Sequence, residues 1–169
     1  MTTIEERLRR LEDRAELQDL VVRYFIAADD DDYDTLAEVF APDCSFSASG
    51  FEGTHGREAV VENLRVGRTY MGATLHTPNY ALFTFQSDDH ASGVVGAHLE
   101  LAMAGKTLFG AVRYTDEYVR WEGRWRFRRR EMRCNHIGPW EDVATSLTDE
   151  FCVRWPGIPP KRSDFPKKL

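Results

Sequence analysis

Thr107-Leu108-Phe109-Gly110-Ala111-Val112-Arg113-Tyr114-Thr115-Asp116-Glu117-Tyr118-Val119-Arg120-Trp121, then Glu122-Gly123, then Arg124-Trp125-Arg126-Phe127, is the stretch that decides the fold. Its period of two, broken by a short glycine turn, is that of two antiparallel strands joined by a tight hairpin. The same pattern extends outward on both sides, from Thr74 to Gln86, Gly93 to Ala104 and Arg124 to Asn135, with breaks at Ser87-Asp88-Asp89-His90 and Gly105-Lys106. Four such strands form a meander, and long strands with short turns must twist and coil, so the sheet acquires a concave side. In the last strand Trp125 and Phe127 share one parity and Met132 and Cys134 the other. Either both faces are partly buried or a β-bulge shifts the phase between them.

Upstream of the meander the period is helical. Thr3 with Glu6 makes a capping box, and Ile4, Leu8, Leu11, Ala15 and then Leu17 to Tyr24 carry one long helix to about residue 28. Asp29-Asp30-Asp31-Asp32 ends it, because carboxylates are unfavourable at the negative end of a helix dipole. Asp34-Thr35 is the expected cap of a short helix stopping before Pro42, Cys44 to Phe46 begins a strand, and Gly50 to Gly56 is a turn. Arg57 to Leu64 reads as a short helix with Ala59, Val60 and Leu64 inward. Helices first and an antiparallel sheet second is an α+β layout, with the helices covering the concavity.

The 169 residues suffice for one such domain, placed at residues 1–140. Residues 141–169 form a tail whose Phe151, Val153, Trp155 and Ile158 are too apolar for a free linker; the tail is expected to pack on the domain or on a neighbouring subunit. With 42% hydrophobic and 30% charged residues, no run is long enough to span a bilayer, and the first residues lack a secretory signal, so the cytoplasm is the expected compartment. A net charge of −6 opposes a phosphate backbone and argues against nucleic acid as a partner. Cys44, Cys134 and Cys152 have no metal or redox spacing and read as packing residues, and no metal site is expected.

His76, inside a strand of the concave sheet, has the side chain best suited to general-base work near neutral pH. A lone strand histidine is also an ordinary core or edge residue, so a partner decides. Asp29, at the end of the long helix, can reach the mouth of the sheet and accept an imidazole N–H; otherwise it belongs to a solvated acidic loop. Tyr24 lies on the inward side of the same helix, where its hydroxyl either faces a pocket or merely fills the core. Arg130, or Arg133 in the same basic strand, can supply an inward cation. By parity Phe46, Leu75, Ala97, Leu99 and Met132 are the expected pocket walls, with Cys134 on the same side. His98 shares its face with Glu100 and is expected to point outward.

Taken together, Ala15-Glu16-Leu17-Gln18-Asp19-Leu20, Tyr24, Asp29, His76, Tyr114-Thr115-Asp116-Glu117-Tyr118 and Gly123-Arg124-Trp125-Arg126-Phe127 resemble the SnoaL-like branch of the nuclear-transport-factor-2-like superfamily over about residues 4 to 140. The resemblance implies a cone-shaped α+β barrel of a curved, mainly antiparallel sheet closed by a long helix and two shorter ones. It is strongest to the group of scytalone dehydratase, γ-hexachlorocyclohexane dehydrochlorinase and bile-acid 7α-dehydratase, which use a His–Asp dyad for elimination without a cofactor. His76 and Asp29 fall on the dyad positions, Tyr24 on the helix tyrosine of the two dehydratases, and Arg130 near a strand arginine of the dehydrochlorinase. The second histidine of scytalone dehydratase has no match, and Leu99 stands where the bile-acid enzyme has aspartate. A cofactor-free lyase or isomerase acting on a small apolar, aromatic or polycyclic molecule is therefore the expected function. A binding protein without turnover, or a structural subunit resembling the β-subunit of ring-hydroxylating dioxygenases, is the alternative. Relatives pair through the outer face of the sheet, so the resemblance also implies a homodimer or homotrimer.

Overall fold

A computed structural model describes residues 3–166. Its elements run α1 (Ile4–Asp29), α2 (Tyr33–Val39), β1 (Phe40–Ala48), β2 (Thr54–His55), α3 (Arg57–Arg68), β3 (Met71–Phe85), β4 (His90–Met103), β5 (Lys106–Trp121) and β6 (Arg124–Pro139). A 3-10 turn (Trp140–Asp142) and the single-turn α4 (Val143–Ser146) follow. The strands form one six-stranded sheet in the order β2-β1-β6-β5-β4-β3. β3 to β6 are the expected antiparallel meander, whereas β1 runs parallel to β6. The sheet is mixed and does not close on itself; β3 remains an edge, and α1 lies across the concave face.

α1 starts at the capping box: Glu6 N–H donates to the Thr3 hydroxyl, and the Thr3 backbone N–H donates to the Glu6 carboxylate. It buries Leu17, Leu20, Val21, Tyr24, Phe25 and Ala27 against the sheet. Ile4, Leu8, Leu11 and Ala15 lie on the opposite, solvent side. The short helix α2 is capped by Asp32, whose carboxylate accepts from the Thr35 N–H and hydroxyl, so the expected cap at Asp34-Thr35 sits two residues late. α3 extends one turn beyond its expected end, and Val61 rather than Ala59 joins Val60 inside, since Ala59 is exposed.

The phase conflict in the last strand resolves as a bulge. Tyr118 pairs with Phe127 but Glu117 with Arg129, leaving Arg128 as an extra residue. Trp125, Phe127, Arg130, Met132 and Cys134 are consequently all buried on one side of the strand. A second step leaves Asn135 unpaired between Cys134 and His136.

The tail continues the sheet where β1 stops. Val153 bridges Ile137 in parallel and Lys161 in antiparallel, Asp164 exchanges bonds with the Cys134 backbone, and Cys152, Val153 and Trp155 are buried. All three cysteines are free and buried. No helix among the described residues is long and apolar enough to cross a membrane.

Asp13 joins the helix to the hairpin that decided the fold. Its buried carboxylate accepts from Trp125 Nε1 at 3.0 Å and from Arg120. Replacing it leaves the buried indole N–H without its acceptor and Arg120 with only Asp88 and Asp89, so Asp13→Ala should cost roughly 2–3 kcal/mol with an unchanged denaturant slope. Urea unfolding checks this, and a loss below about 0.5 kcal/mol, the range of neutral surface changes, would show that water replaces the contact.

Candidate functional site

Asp29 is the last residue of α1, and its carboxylate holds the edge strand at two points. The His76 backbone N–H donates to Oδ2 at 2.8 Å, and His76 Nδ1 lies 2.6 Å from Oδ1. An edge strand leaves alternate N–H groups without a strand partner, and this one is turned to the helix end. Thr74 adds its hydroxyl to Oδ1 at 2.9 Å, and Arg68 of α3 donates to Thr74 and to Asp31. Asp31, at a left-handed φ of 57°, turns the chain away from α1 while facing this network.

These bonds fix both charge and tautomer. Burial penalises the Asp29 carboxylate, but the bonds from the His76 ring, its backbone and Thr74 outweigh that and hold its pKa below the ordinary value. An ionised carboxylate only accepts, so the proton between the pair sits on Nδ1. Neutral His76 then carries its lone pair on Nε2, which has no hydrogen-bond partner among the described residues. The imidazole stacks on Phe25 with centroids 5.0 Å apart.

His76 lines a cavity of about 310 Å³ between α1, α3 and the concave sheet, within the range of small-molecule sites. Its surface is mostly apolar: Phe46, Leu99 and Met132 are walls, as the sequence predicts, joined by Leu36, Leu64, Leu101 and Met71. Tyr24 and Tyr114 line it from the back. Burial pushes the Tyr24 phenol up to about 12 against the pull of Arg130, so it remains a proton donor.

The other expected walls are elsewhere. Leu75 is 53% exposed on the outer face, as strand alternation requires once its neighbour His76 points inward. Ala97 and Cys134 are buried but not part of the cavity surface, and burial pushes the Cys134 thiol up to about 12. Arg130 is also sealed off from the cavity. Its guanidinium lies 4.0 to 4.5 Å from the Tyr114, Tyr24 and Phe127 rings, with Asp116 at 3.5 Å. Burial pushes Asp116 up to about 6 despite Arg130 and a bond from the Tyr118 hydroxyl. Arg133 contacts Phe165 and the Asp164 carbonyl in the tail, and His98 meets Asn79 and Phe109 on the outer face.

Arg68, Thr74 and Trp155 belong to the cavity without having been expected there. Thr74 was legible, since it shares strand parity with His76. Arg68 lies beyond the expected end of α3, and Trp155 arrives from the tail, so neither carries a local signal. No group of three or more His, Cys, Asp or Glu among the described residues is arranged to hold a metal ion.

A SnoaL-like domain matches residues 9–131. The chain belongs to the SnoaL-like family. Among solved structures, this SnoaL-like chain is similar to a hexachlorocyclohexane dehydrochlorinase of LinA type 3 from Novosphingobium barchaimii, at 25% identity and a TM-score of 0.74, covering 78% of this chain and 92% of that one. It is likewise similar to a candidate aromatic ring hydroxylase from Novosphingobium aromaticivorans, at 26% identity and 0.71, covering 79% and 97%. A candidate scytalone dehydratase from the latter organism, at 22% identity, 0.72 and 78% and 90% coverage, shares the cone-shaped fold. No curated protein matches the chain significantly.

The depressed pKa of Asp29 gives the SnoaL-like chain a pH signature. A carboxyl that binds protons less readily folded than unfolded contributes stability above its unfolded pKa, and that contribution disappears as pH falls through the folded pKa. The difference in thermal midpoint between the native chain and Asp29→Asn should therefore be open from about pH 5 to 7 and close below about pH 3.9, the ordinary aspartate value. Calorimetry across that range tests it; a gap that persists undiminished at the acid end assigns the effect to packing.

Proposed function

We propose that this chain is a cofactor-free lyase or isomerase that starts by removing a carbon-bound proton from a small, largely apolar cyclic molecule. The observation that carries this reading is the 2.6 Å contact between His76 Nδ1 and Asp29, with the imidazole at the wall of an apolar cavity. Nε2 takes the proton, the C–H electrons form the new double bond, and a leaving group on the adjacent carbon departs with its electron pair. Asp29 stabilises the imidazolium, and in the low-polarity cavity that compensation is worth more than in water. Tyr24 is the group placed to donate a hydrogen bond to a departing hydroxyl or to a carbonyl that acidifies the C–H. In double-bond migration the imidazolium returns the proton to another carbon instead. The similarity to a protein named as a hexachlorocyclohexane dehydrochlorinase supports elimination.

The similarity to a protein named as an aromatic ring hydroxylase favours a second reading, a pocket that binds without turnover or serves a partner subunit. Assay of halogenated and hydroxylated cyclic compounds separates the two. On any compound converted, His76→Ala and Asp29→Asn should each lower kcat by about 10² to 10⁴, and Tyr24→Phe should lower it less, by about tenfold. Activity that survives both dyad changes would exclude the dyad as the base. Retention of a small molecule by the purified chain without conversion would favour the second reading.

A further inference from the structure

The solvent side of α1 carries an apolar stripe that the fold does not use. Ile4, Leu8, Leu11, Val22 and Ile26 are 43% to 73% exposed, and Ala15 and Gln18 on the same line are exposed too. Leu8, Leu11, Ala15, Gln18 and Val22 alternate spacings of three and four, with Ile4 four residues before Leu8. This is the a/d seam of a coiled coil, with Ile4, Leu11 and Gln18 at d and Leu8, Ala15 and Val22 at a. Asp13, Leu17, Leu20, Tyr24 and Ala27 are buried at the opposite f and c positions, and the seam ends at Val22, because the g residue Val21 and the next d residue, Phe25, are buried in the fold. One helix thus carries two apolar faces, the second running from Ile4 to Val22.

The residues flanking the seam identify the occupant. Glu5, Glu12 and Asp19 fall at the e positions, and Arg7 and Arg14 at the g positions. When two copies of the helix run parallel, each g residue meets the partner's e residue five positions later, so Arg7 faces Glu12 and Arg14 faces Asp19. When they run antiparallel, e meets e and g meets g, setting acid against acid and arginine against arginine. Glu5, Arg7, Glu12 and Asp19 are exposed, and none makes an ion pair within the chain among the described residues. Arg14 also donates to the Phe83 carbonyl at 3.4 Å.

We infer that the exposed face of α1 binds α1 of a second copy of this chain, parallel and in register, forming a two-fold dimer whose axis runs along the helices. The surface differs from the outer face of the sheet, and the inference is independent of the proposed chemistry. The helix is already held by its capping box and its buried face, so docking orders side chains rather than backbone. Gln18 at a central d position restricts the register, because a shifted pairing would set its amide against an apolar residue.

Sedimentation velocity on the full chain, with engineered disulfide formation, tests the inference. The native chain should dimerise at micromolar concentration, and Leu11→Asp should weaken dimerisation at least about 100-fold, because each copy loses a leucine from the seam and gains a charge. Leu11 is solvent-exposed in the single chain, so circular dichroism should be unchanged, and so should the thermal midpoint at concentrations where the native chain is monomeric. Arg7→Glu should weaken dimerisation about fivefold, and adding Glu12→Arg should restore it to within about twofold. Leu11→Cys should form a disulfide between identical positions under mild oxidation, the native cysteines being buried. A monomer at about 100 μM would overturn the inference. So would an assembly insensitive to Leu11→Asp, or one in which Leu11→Cys fails to cross-link.

Discussion

The extra residue at Arg128 sets what the concave face is made of. A strand of uninterrupted parity that buried Trp125 and Phe127 would send Arg130, Met132 and Cys134 together to the other side. By absorbing one residue, the bulge keeps Trp125 and Phe127 under the helix and brings Arg130, Met132 and Cys134 to the same face. Met132 then becomes a cavity wall, and Arg130 becomes the buried cation behind it. That cation has no hydrogen-bonded acceptor among the described residues. Aromatic faces and the Asp116 charge compensate it, an arrangement open to arginine because its guanidinium is planar and weakly hydrated. Tyr24 and Tyr114 contact this group on one side and the cavity on the other, so the back wall of the site is held from behind by a charge.

The front of the site depends on two unfinished ends. A helix terminus leaves carbonyls without partners, and an edge strand leaves N–H groups without partners. Asp29 belongs to the first and reaches the second. One carboxylate therefore closes the fold at the mouth of the cone and orients an imidazole at the cavity wall. Closing the sheet into a full barrel would have consumed the His76 N–H in a strand ladder and removed this attachment.

Much of this was readable in the residues, within identifiable limits. The four-strand meander, the long helix and the position of Asp29 at its end follow from period and capping. Position at the helix end made Asp29 a candidate partner of His76, but its alternative as a solvated loop residue stayed open until the resemblance, because residues 47 positions apart share no local pattern. Parity failed at Leu75, which cannot face inward beside an inward His76, and it left the choice between Arg130 and Arg133 open, because that face depends on a bulge that parity alone cannot locate. Arg130 shows a second limit as well: pointing inward is not the same as reaching the cavity, since four rings stand around it. The stripe from Ile4 to Ala15 was read correctly as helical, but period alone does not say which of two apolar faces meets the sheet.

The tail has a consequence of a different kind. Trp155 stands in the cavity wall, yet it comes from a segment that lies wholly outside the family's matched stretch, residues 9–131. Asp29 and His76 lie inside that stretch. The cavity wall thus joins one side chain from the tail to many from within the matched stretch, so a change at Trp155 would alter the outline of the cavity while leaving the Asp29–His76 contact in place.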